Sequence, residues 1–131
     1  MKVDIDLEEE QGFCRVTVVG KFDLQQYAPS INRVVDAMGP TPDMPALYDL
    51  RETDMAHLGT PEIRAMGSAH RGIANRRGNA RVAVLVGDDL TYGLARMYEA
   101  MGLPPKLQMQ VFRDVDEAEA WVSFPPSERG G

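Results

Sequence analysis

The sequence is almost without cysteine, because Cys14 is the only one in 131 residues. A lone thiol cannot form a disulfide within the chain, and it excludes a metal site built from several cysteines. Cys14 alternates with polar residues in a predicted strand, so we interpret it as a small buried apolar side chain. Disulfide-stabilised folds and cysteine-rich metal domains are therefore excluded.

Long apolar runs are also missing. No segment approaches the roughly 20 apolar residues that a membrane span needs. Residues 1–6 alternate apolar and charged side chains, which is unlike a secretory signal peptide. We therefore expect a cytoplasmic protein with no integral membrane segment.

An excess of positive charge is absent as well. The chain has 14 Lys and Arg against 20 Asp and Glu, a net charge of −6 at pH 7, which repels nucleic-acid phosphates, so no nucleic-acid partner is expected. The charge is uneven, because acidic residues crowd the first predicted hairpin and arginines cluster in the middle of the chain. Guanidinium groups bind carboxylates and phosphates well. Four arginines therefore predict a docking surface for an acidic protein partner or for peripheral contact with anionic lipid: Arg71, Arg76, Arg77 and Arg81.

Strand and helix patterns alternate along the chain without an internal repeat or a linker. Apolar periodicity predicts strands at 3–7, 13–20, 46–50, 81–86 and 107–111, and helices at 24–38, 61–76, 90–101 and 115–122. The order is β-β-α-β-α-β-α-β-α. The short first connection predicts an antiparallel hairpin, and the later units predict right-handed parallel crossovers. We expect a single α/β domain over residues 1–123, with one mixed, mostly parallel sheet of about five strands, followed by a flexible tail at 124–131.

The junction after the third predicted strand is the most informative segment. The strand ends near Asp49 and Arg51, and after a polar loop Thr60 is predicted to cap the second helix. Asp88 follows the next strand and is predicted to reach the same edge of the sheet. Helix N-termini and strand carboxyl ends meet there, where α/β domains usually bind ligands. The sequence predicts a binding edge formed by residues 51–63 and 87–91.

The order of elements resembles the STAS superfamily, and more closely its bacterial SpoIIAA-like branch, which is also described as STAS/SEC14-like. The segments that carry the resemblance are 20–23 (Gly-Lys-Phe-Asp), 48–51 (Tyr-Asp-Leu-Arg), 81–88 and 111–121, and the likeness covers residues 3–122. It implies a non-enzymatic regulatory or ligand-binding module.

The regulatory members of that superfamily imply a second function. In anti-sigma factor antagonists, a serine near the start of the second helix is phosphorylated by a partner kinase. Here residues 56–61 read Ala-His-Leu-Gly-Thr-Pro, so only Thr60 offers a hydroxyl. A phosphoswitch at Thr60 is therefore an alternative to its predicted role as a helix cap.

A small enzyme is the other alternative. Asp49, Asp54 and His57 lie close together in sequence, and His70 lies on the apolar face of the second predicted helix. Carboxylates and imidazoles can perform acid-base chemistry. The sequence has no Ser-His-Asp elbow, Gly-rich phosphate loop or Cys/His pair. No catalytic residue, metal or cofactor is therefore predicted.

Methionine is abundant, with eight in the chain. Its flexible thioether fills irregular core gaps and adaptable pockets equally well. The resemblance to lipid-carrying SEC14-like domains adds weight to a pocket, but plain core filling is the preferred interpretation. The methionines predicted between the second and third helices are Met55, Met66, Met97 and Met101. The predicted ligand is a small apolar or anionic molecule or a protein partner, and an exposed edge strand favours a homodimer. The candidate binding residues are Asp49, Arg51, His57, Thr60, Met66, His70, Asp88, Met97 and Met101.

Overall fold

The computed structural model describes residues 1–39, 43–72, 74–77, 80–100 and 108–123. Within these ranges the chain forms strands and helices that alternate as the sequence predicts, with one additional short helix. The elements are β1 (Lys2–Glu8), β2 (Phe13–Lys21), α1 (Leu24–Ala37), β3 (Ala46–Asp54), α2 (Thr60–Arg71), α3 (Ala74–Arg77), β4 (Arg81–Leu85), α4 (Asp89–Ala100), β5 (Gln108–Phe112) and α5 (Val115–Val122).

The five strands form one sheet whose spatial order, β1-β2-β3-β4-β5, is the same as their order in the chain. β1 pairs with β2 antiparallel, and the remaining pairs are parallel. β3 is therefore the central strand, and β4 lies between β3 and β5. The predicted mixed, mostly parallel α/β sheet with an N-terminal hairpin is confirmed.

Alternate residues of each strand face opposite sides of the sheet, and helices cover both sides. On one side α1, α2 and α4 pack on the sheet through side chains such as Tyr27, Ile63 and Leu94. On the other side α5 packs through Ala118 and Val122 against Phe13, Leu47, Ala83, Leu85 and Phe112. The two apolar clusters are therefore separated by the sheet itself.

Helix α1 begins and ends where the sequence predicts. The Asp23 carboxylate accepts a hydrogen bond from the Gln25 backbone N–H at 2.9 Å and so caps the helix start that the sequence predicts at residue 24. Gly39 follows the helix with a φ of +58°, a conformation that glycine adopts without strain. The buried side chains of α1 repeat with helical spacing: Tyr27, Ser30, Ile31, Val34 and Val35.

β3 is longer than predicted, because the chain stays in the sheet through Asp54. The register with β2 shifts between Thr17 and Val19, and pairing then resumes with Val19 opposite Glu52 and Lys21 opposite Asp54. The prediction that a loop begins at Arg51 is therefore wrong. The sequence did not predict this extension because residues 51–54 are polar. The apolar pattern of the strand ends at Leu50, whereas its pairing with β2 continues to Asp54.

The second predicted helix is divided into two. α2 ends at Arg71 and is followed by Gly72, which lowers helix propensity, and α3 is a separate short helix. The predicted single helix over 61–76 is therefore wrong. Thr60 is the first residue of α2 rather than its cap, since Gly59 occupies the cap position and its N–H donates to Glu62 Oε2 at 2.9 Å.

Some predictions concern residues outside the described ranges. These are the methionine at 101, the start of the last strand at residue 107 and the tail at 124–131. In the ranges that are described, no helix has both the length and the apolar character needed to cross a membrane.

Candidate functional site

A mostly apolar cavity of about 80 Å³ lies between the sheet and helices α1, α2 and α4. The sheet contributes Tyr48, Leu50, Val82, Val84 and Met109. The other lining residues are Tyr27, Val35, Met55, Ile63, Met66, His70, Arg77, Thr91, Leu94, Ala95 and Tyr98. Seven of the described elements thus contribute to the cavity, and it lies on the side of the sheet opposite α5.

The lining of the cavity extends along the strands. It begins near Val82, which is opposite Ala46, and continues to Leu50, four residues further along β3. At about 3.3 Å per residue this is roughly 13 Å. Met55 and Thr91 extend the lining at the carboxyl edge of the sheet, whereas Arg77 lies just before the start of β4. One end of the cavity therefore reaches the edge that the sequence predicts as the binding edge.

His70 is held between two tyrosines on the cavity wall. Its Nε2 lies 3.3 Å from the Tyr27 hydroxyl, and its Nδ1 lies 2.5 Å from the Tyr98 hydroxyl. Both tyrosine rings meet the imidazole edge to face, with centroids 5.9 and 5.4 Å away. These contacts join α1, α2 and α4 through polar groups inside an apolar surrounding.

The imidazole of His70 is neutral at pH 7. Burial lowers its pKa to about 4, and the positive charge of Arg77 contributes to the same effect. A neutral imidazole has one donor and one acceptor nitrogen, so one tyrosine donates to the ring and the other accepts from it. Burial also raises the pKa of Tyr98 and, well above its usual value, the pKa of Tyr27, so both hydroxyls keep their protons at pH 7.

Arg77 contributes a guanidinium to the opposite end of the cavity. The residue is 4% exposed, and its Nη1 donates to the Met44 carbonyl oxygen at 2.8 Å and contacts the Met38 sulfur. The end of α1 and the segment before β3 therefore fix this side chain. Burial lowers the pKa of the guanidinium, but an arginine remains charged at neutral pH.

Comparison with known proteins identifies the fold. No protein-family model and no curated protein matches the sequence. The chain is similar in structure to an uncharacterised DUF3478-family protein from Shewanella loihica PV-4, which has a SpoIIAA-like fold. The TM-score is 0.57 and the sequence identity 22%, and the match covers 92% of each chain. This chain has a SpoIIAA-like fold.

The SpoIIAA-like fold brings two predicted binding residues, Met66 and His70, to the cavity. Met97 is on α4 but is 36% exposed, and its sulfur lies 4.0 Å from the Thr60 hydroxyl at the surface. Asp88 is also exposed, and its Oδ1 accepts from the Thr91 N–H at 2.7 Å, which holds the first turn of α4. The predicted binding residues are therefore divided: Asp88 and Met97 lie at the surface, whereas Met66 and His70 line the cavity.

Asp49 lies on the α5 side of the SpoIIAA-like sheet, away from the cavity. Arg51 binds it through two side-chain contacts, at 3.0 Å from Nε and 2.8 Å from Nη2. Burial opposes the charged form of Asp49, but the hydrogen bonds from Arg51 outweigh this and hold its pKa below the usual range. This pair therefore forms a local ion pair on the opposite face of the sheet.

The residues of the enzyme alternative are not brought together by this fold. Asp54 Oδ1 accepts from the Ala56 N–H at 3.0 Å, His57 Nε2 lies 2.6 Å from the Phe22 carbonyl oxygen, and His70 binds the two tyrosines. In the described part of the chain, no hydrogen bond joins any two of Asp49, Asp54, His57 and His70. Nor do the described residues include a group of three or more His, Cys, Asp or Glu side chains placed to hold a metal ion.

The four arginines predicted as a docking surface are dispersed. Arg71 and Arg76 are exposed, and Arg76 forms a 2.7 Å ion pair with Asp36. Arg77 is buried in the cavity wall, so its assignment to a surface is wrong. Arg81 donates to the Trp121 carbonyl oxygen and stacks on the Trp121 ring, on the α5 side of the sheet.

Sequence reasoning did not identify the tyrosines of the site. Three of the four tyrosines in the chain, Tyr27, Tyr48 and Tyr98, line the cavity. A signal existed, because each stands in an apolar stripe of a helix or strand where its hydroxyl needs a buried partner. His70, on an apolar helix face, had the same property.

Proposed function

We propose that the protein is a non-enzymatic binding module that takes a small apolar molecule into the cavity between the sheet and helices α1, α2 and α4. The observation that carries the proposal is the cavity itself, an apolar space with fixed polar groups on its wall. Ligand sites typically combine these two properties. The His70 group supplies the polar contacts, and Leu50, Met55 and Ile63 supply apolar surface.

The size of the cavity supports a binding role over plain core packing. Protein interiors contain few voids larger than a water molecule. At about 24 cal/mol per Å³, an empty space of about 80 Å³ costs the fold roughly 2 kcal/mol. Met55, Met66 and Met109 line the space, and flexible thioether side chains can repack around a guest. A ligand that fills the cavity would recover part of this stability.

The placement of the polar residues supports a function without turnover. General acid-base chemistry needs groups within hydrogen-bond reach of one another or of a common substrate atom. Asp49 is on the other side of the sheet, and His57 is engaged with the Phe22 backbone. His70 holds helices together through its tyrosine partners. The proposal therefore assigns His70 a role in shaping the cavity.

Filling the cavity is expected to abolish binding. Ala95 lines the cavity on α4, so Ala95→Leu places extra carbons in the space a guest would take. We expect 1-hexanol to bind wild type saturably and to bind this variant at least tenfold more weakly, a difference of about 1.4 kcal/mol. The measurement is a titration followed by NMR of ¹³C-labelled methionine methyl groups, in which Met55, Met66 and Met109 report directly on the cavity.

The matched control is Ala100→Leu, because Ala100 is on the same helix but exposed. It is expected to bind 1-hexanol as wild type does. Ala95→Val serves as a milder filling variant if leucine disturbs folding. Unsaturable shifts spread over surface methionines, or wild-type affinity in both filled variants, would contradict the proposed function.

A further inference from the structure

The imidazole of His70 has one proton for its two ring nitrogens. Burial lowers the pKa of His70 to about 4, so at pH 7 one nitrogen is a donor and the other an acceptor. The Met66 carbonyl oxygen, one helical turn earlier in α2, forms a hydrogen bond with the ring. A carbonyl oxygen can only accept, so the nitrogen that faces it carries the proton. We assign that proton to Nδ1, because Nδ1 is the ring nitrogen nearer the backbone of the same helix.

This assignment sets the direction of both tyrosine contacts. The Tyr27 hydroxyl, 3.3 Å from Nε2, donates to the ring, and the Tyr98 hydroxyl, 2.5 Å from Nδ1, accepts from it. The three groups have three protons between them and share two hydrogen bonds, so one proton is left over. An accepting hydroxyl keeps its own proton for another partner. The remaining proton is therefore that of Tyr98.

The Tyr98 hydroxyl holds this proton inside the protein. Tyr98 lines the cavity and is 9% exposed, and burial raises its pKa, so the hydroxyl is protonated at pH 7. Arg71 interacts with it electrostatically, but a guanidinium has no acceptor. Tyr27 has a further hydroxyl neighbour in Tyr48, whereas Tyr98 has only His70 as a hydrogen-bond partner in the part of the chain that the structure describes. A buried donor without an acceptor is costly, and a guest that accepts from it offsets the cost.

We propose that the ligand of the cavity has a neutral carbonyl group, as a ketone, an aldehyde or an ester does, and that its oxygen accepts a hydrogen bond from the Tyr98 hydroxyl. The inference rests on the proposed function, because it names the class of molecule that the same cavity takes. A carbonyl oxygen uses the remaining proton and brings no donor, whereas a guest hydroxyl brings a second proton that needs an acceptor. The hydrocarbon part lies against the apolar lining toward Leu50 and Met55.

The test compares 2-hexanone with 2-methyl-1-hexene, in which a CH₂ group replaces the carbonyl oxygen and the shape is nearly the same. Both are titrated into wild type and into Tyr98→Phe, which removes the hydroxyl and keeps the ring, and binding is followed by methionine-methyl NMR. Tyr98→Phe is expected to bind 2-hexanone about fivefold more weakly, a loss of about 1 kcal/mol, which is typical of one hydrogen bond. It is expected to bind 2-methyl-1-hexene at least as tightly as wild type does.

The matched control is Tyr92→Phe. Tyr92 is on the same helix, but it is not among the described lining residues, and its ring stacks with Arg113. Phenylalanine keeps that ring, so this variant is expected to bind both probes as wild type does. An equal loss of 2-hexanone binding in Tyr92→Phe would contradict an anchor at Tyr98.

An infrared spectrum of bound 2-hexanone, labelled with ¹³C at the carbonyl, tests the contact in wild type itself and covers the case in which Tyr98→Phe does not fold. A hydrogen bond lowers the C=O stretching frequency, so the wild-type band is expected below its position in hexane. In folded Tyr98→Phe the band is expected to return toward that position. A wild-type band at the hexane position, or a lowered band that persists in Tyr98→Phe, would overturn the inference.

The outcomes separate this inference from the proposed function. If Tyr98→Phe weakens the binding of both probes equally, the carbonyl contact is wrong but the apolar cavity remains the site. If the lowered band is lost in Tyr27→Phe and not in Tyr98→Phe, the hydrogen bonds of His70 run in the opposite direction and Tyr98 is not the anchor. If neither probe alters the cavity methionines, the proposed function itself fails.

Discussion

Leu47→Ala is expected to lower the free energy of unfolding by about 2–5 kcal/mol, the usual range for a buried leucine. Leu47 is fully buried on β3, the central strand, where it packs beneath α5 with Phe13, Ala83 and Leu85. Truncation leaves a void between two rigid layers that cannot close around it. The measurement is chemical denaturation, in which the midpoint falls while the slope with denaturant stays constant.

The same variant tests the separation of the two faces. Leu47 points to the side opposite the cavity, so folded Leu47→Ala is expected to bind 1-hexanol with wild-type affinity. The matched control for stability is Leu90→Ala, the same change at a side chain that is 51% exposed. It is expected to alter stability by less than about 0.5 kcal/mol. Comparable losses in both variants would contradict the assigned burial of Leu47.

The second large effect is a dependence of stability on pH that comes from His70. The ordinary pKa of histidine is 6.5, and burial lowers that of His70 to about 4 in the folded protein. Below pH 6.5 the unfolded chain takes up a proton that the folded protein does not. Stability is therefore complete above pH 6.5, falls as the pH is lowered toward 4, and then levels off. At about 1.4 kcal/mol per pKa unit the loss is roughly 3 kcal/mol.

The contribution of His70 is isolated by comparison with His70→Gln, which cannot take up this proton. Carboxylates such as Asp49 also lose favourable interactions on acidification, but their contribution is common to both proteins and cancels in the difference. The difference in unfolding free energy between wild type and His70→Gln is expected to shrink between pH 7 and pH 4. Parallel profiles for wild type and His70→Gln would refute the assignment.

The sequence predicts the sheet well because its strands and helices have strong periodic patterns. The alternating apolar residues of β2 and the nearly continuous apolar run of β4 distinguish a half-covered strand from a strand covered on both sides. Capping by Asp23 and Asp114 is also local, so both helix starts are confirmed. Local signals of this kind are present in the chain before any tertiary contact forms.

The wrong predictions concern segments whose structure is determined by tertiary contacts. β3 continues past its apolar run because β2 is long enough to pair with it beyond the register shift. If the helix ran without interruption over 61–76, Arg77 would follow its C-terminal end. Arg77 is for this reason predicted to lie at the surface. Because α2 ends before Gly72 and the chain begins a new helix, Arg77 faces inward instead.

The site was predicted in part for the same reason. Met66 and His70 stand on the apolar face of a recognisable helix, so their inward orientation follows from spacing alone. That His70 meets Tyr27 and Tyr98 depends on how three helices are arranged over the sheet, and no local pattern contains that information. Distances of 43 and 28 residues along the chain separate His70 from these partners.

The strands lie in the sheet in the same order as in the chain, and this order affects how the sheet can form during synthesis. A chain that leaves the ribosome N-terminus first can add each strand to the free edge of the sheet already formed. No strand needs to be inserted between two strands that are already paired. At each stage the strand added last is therefore a free edge, and the next strand covers it. The lining of the cavity is completed only when β5 joins the sheet, since Met109 of β5 forms part of it.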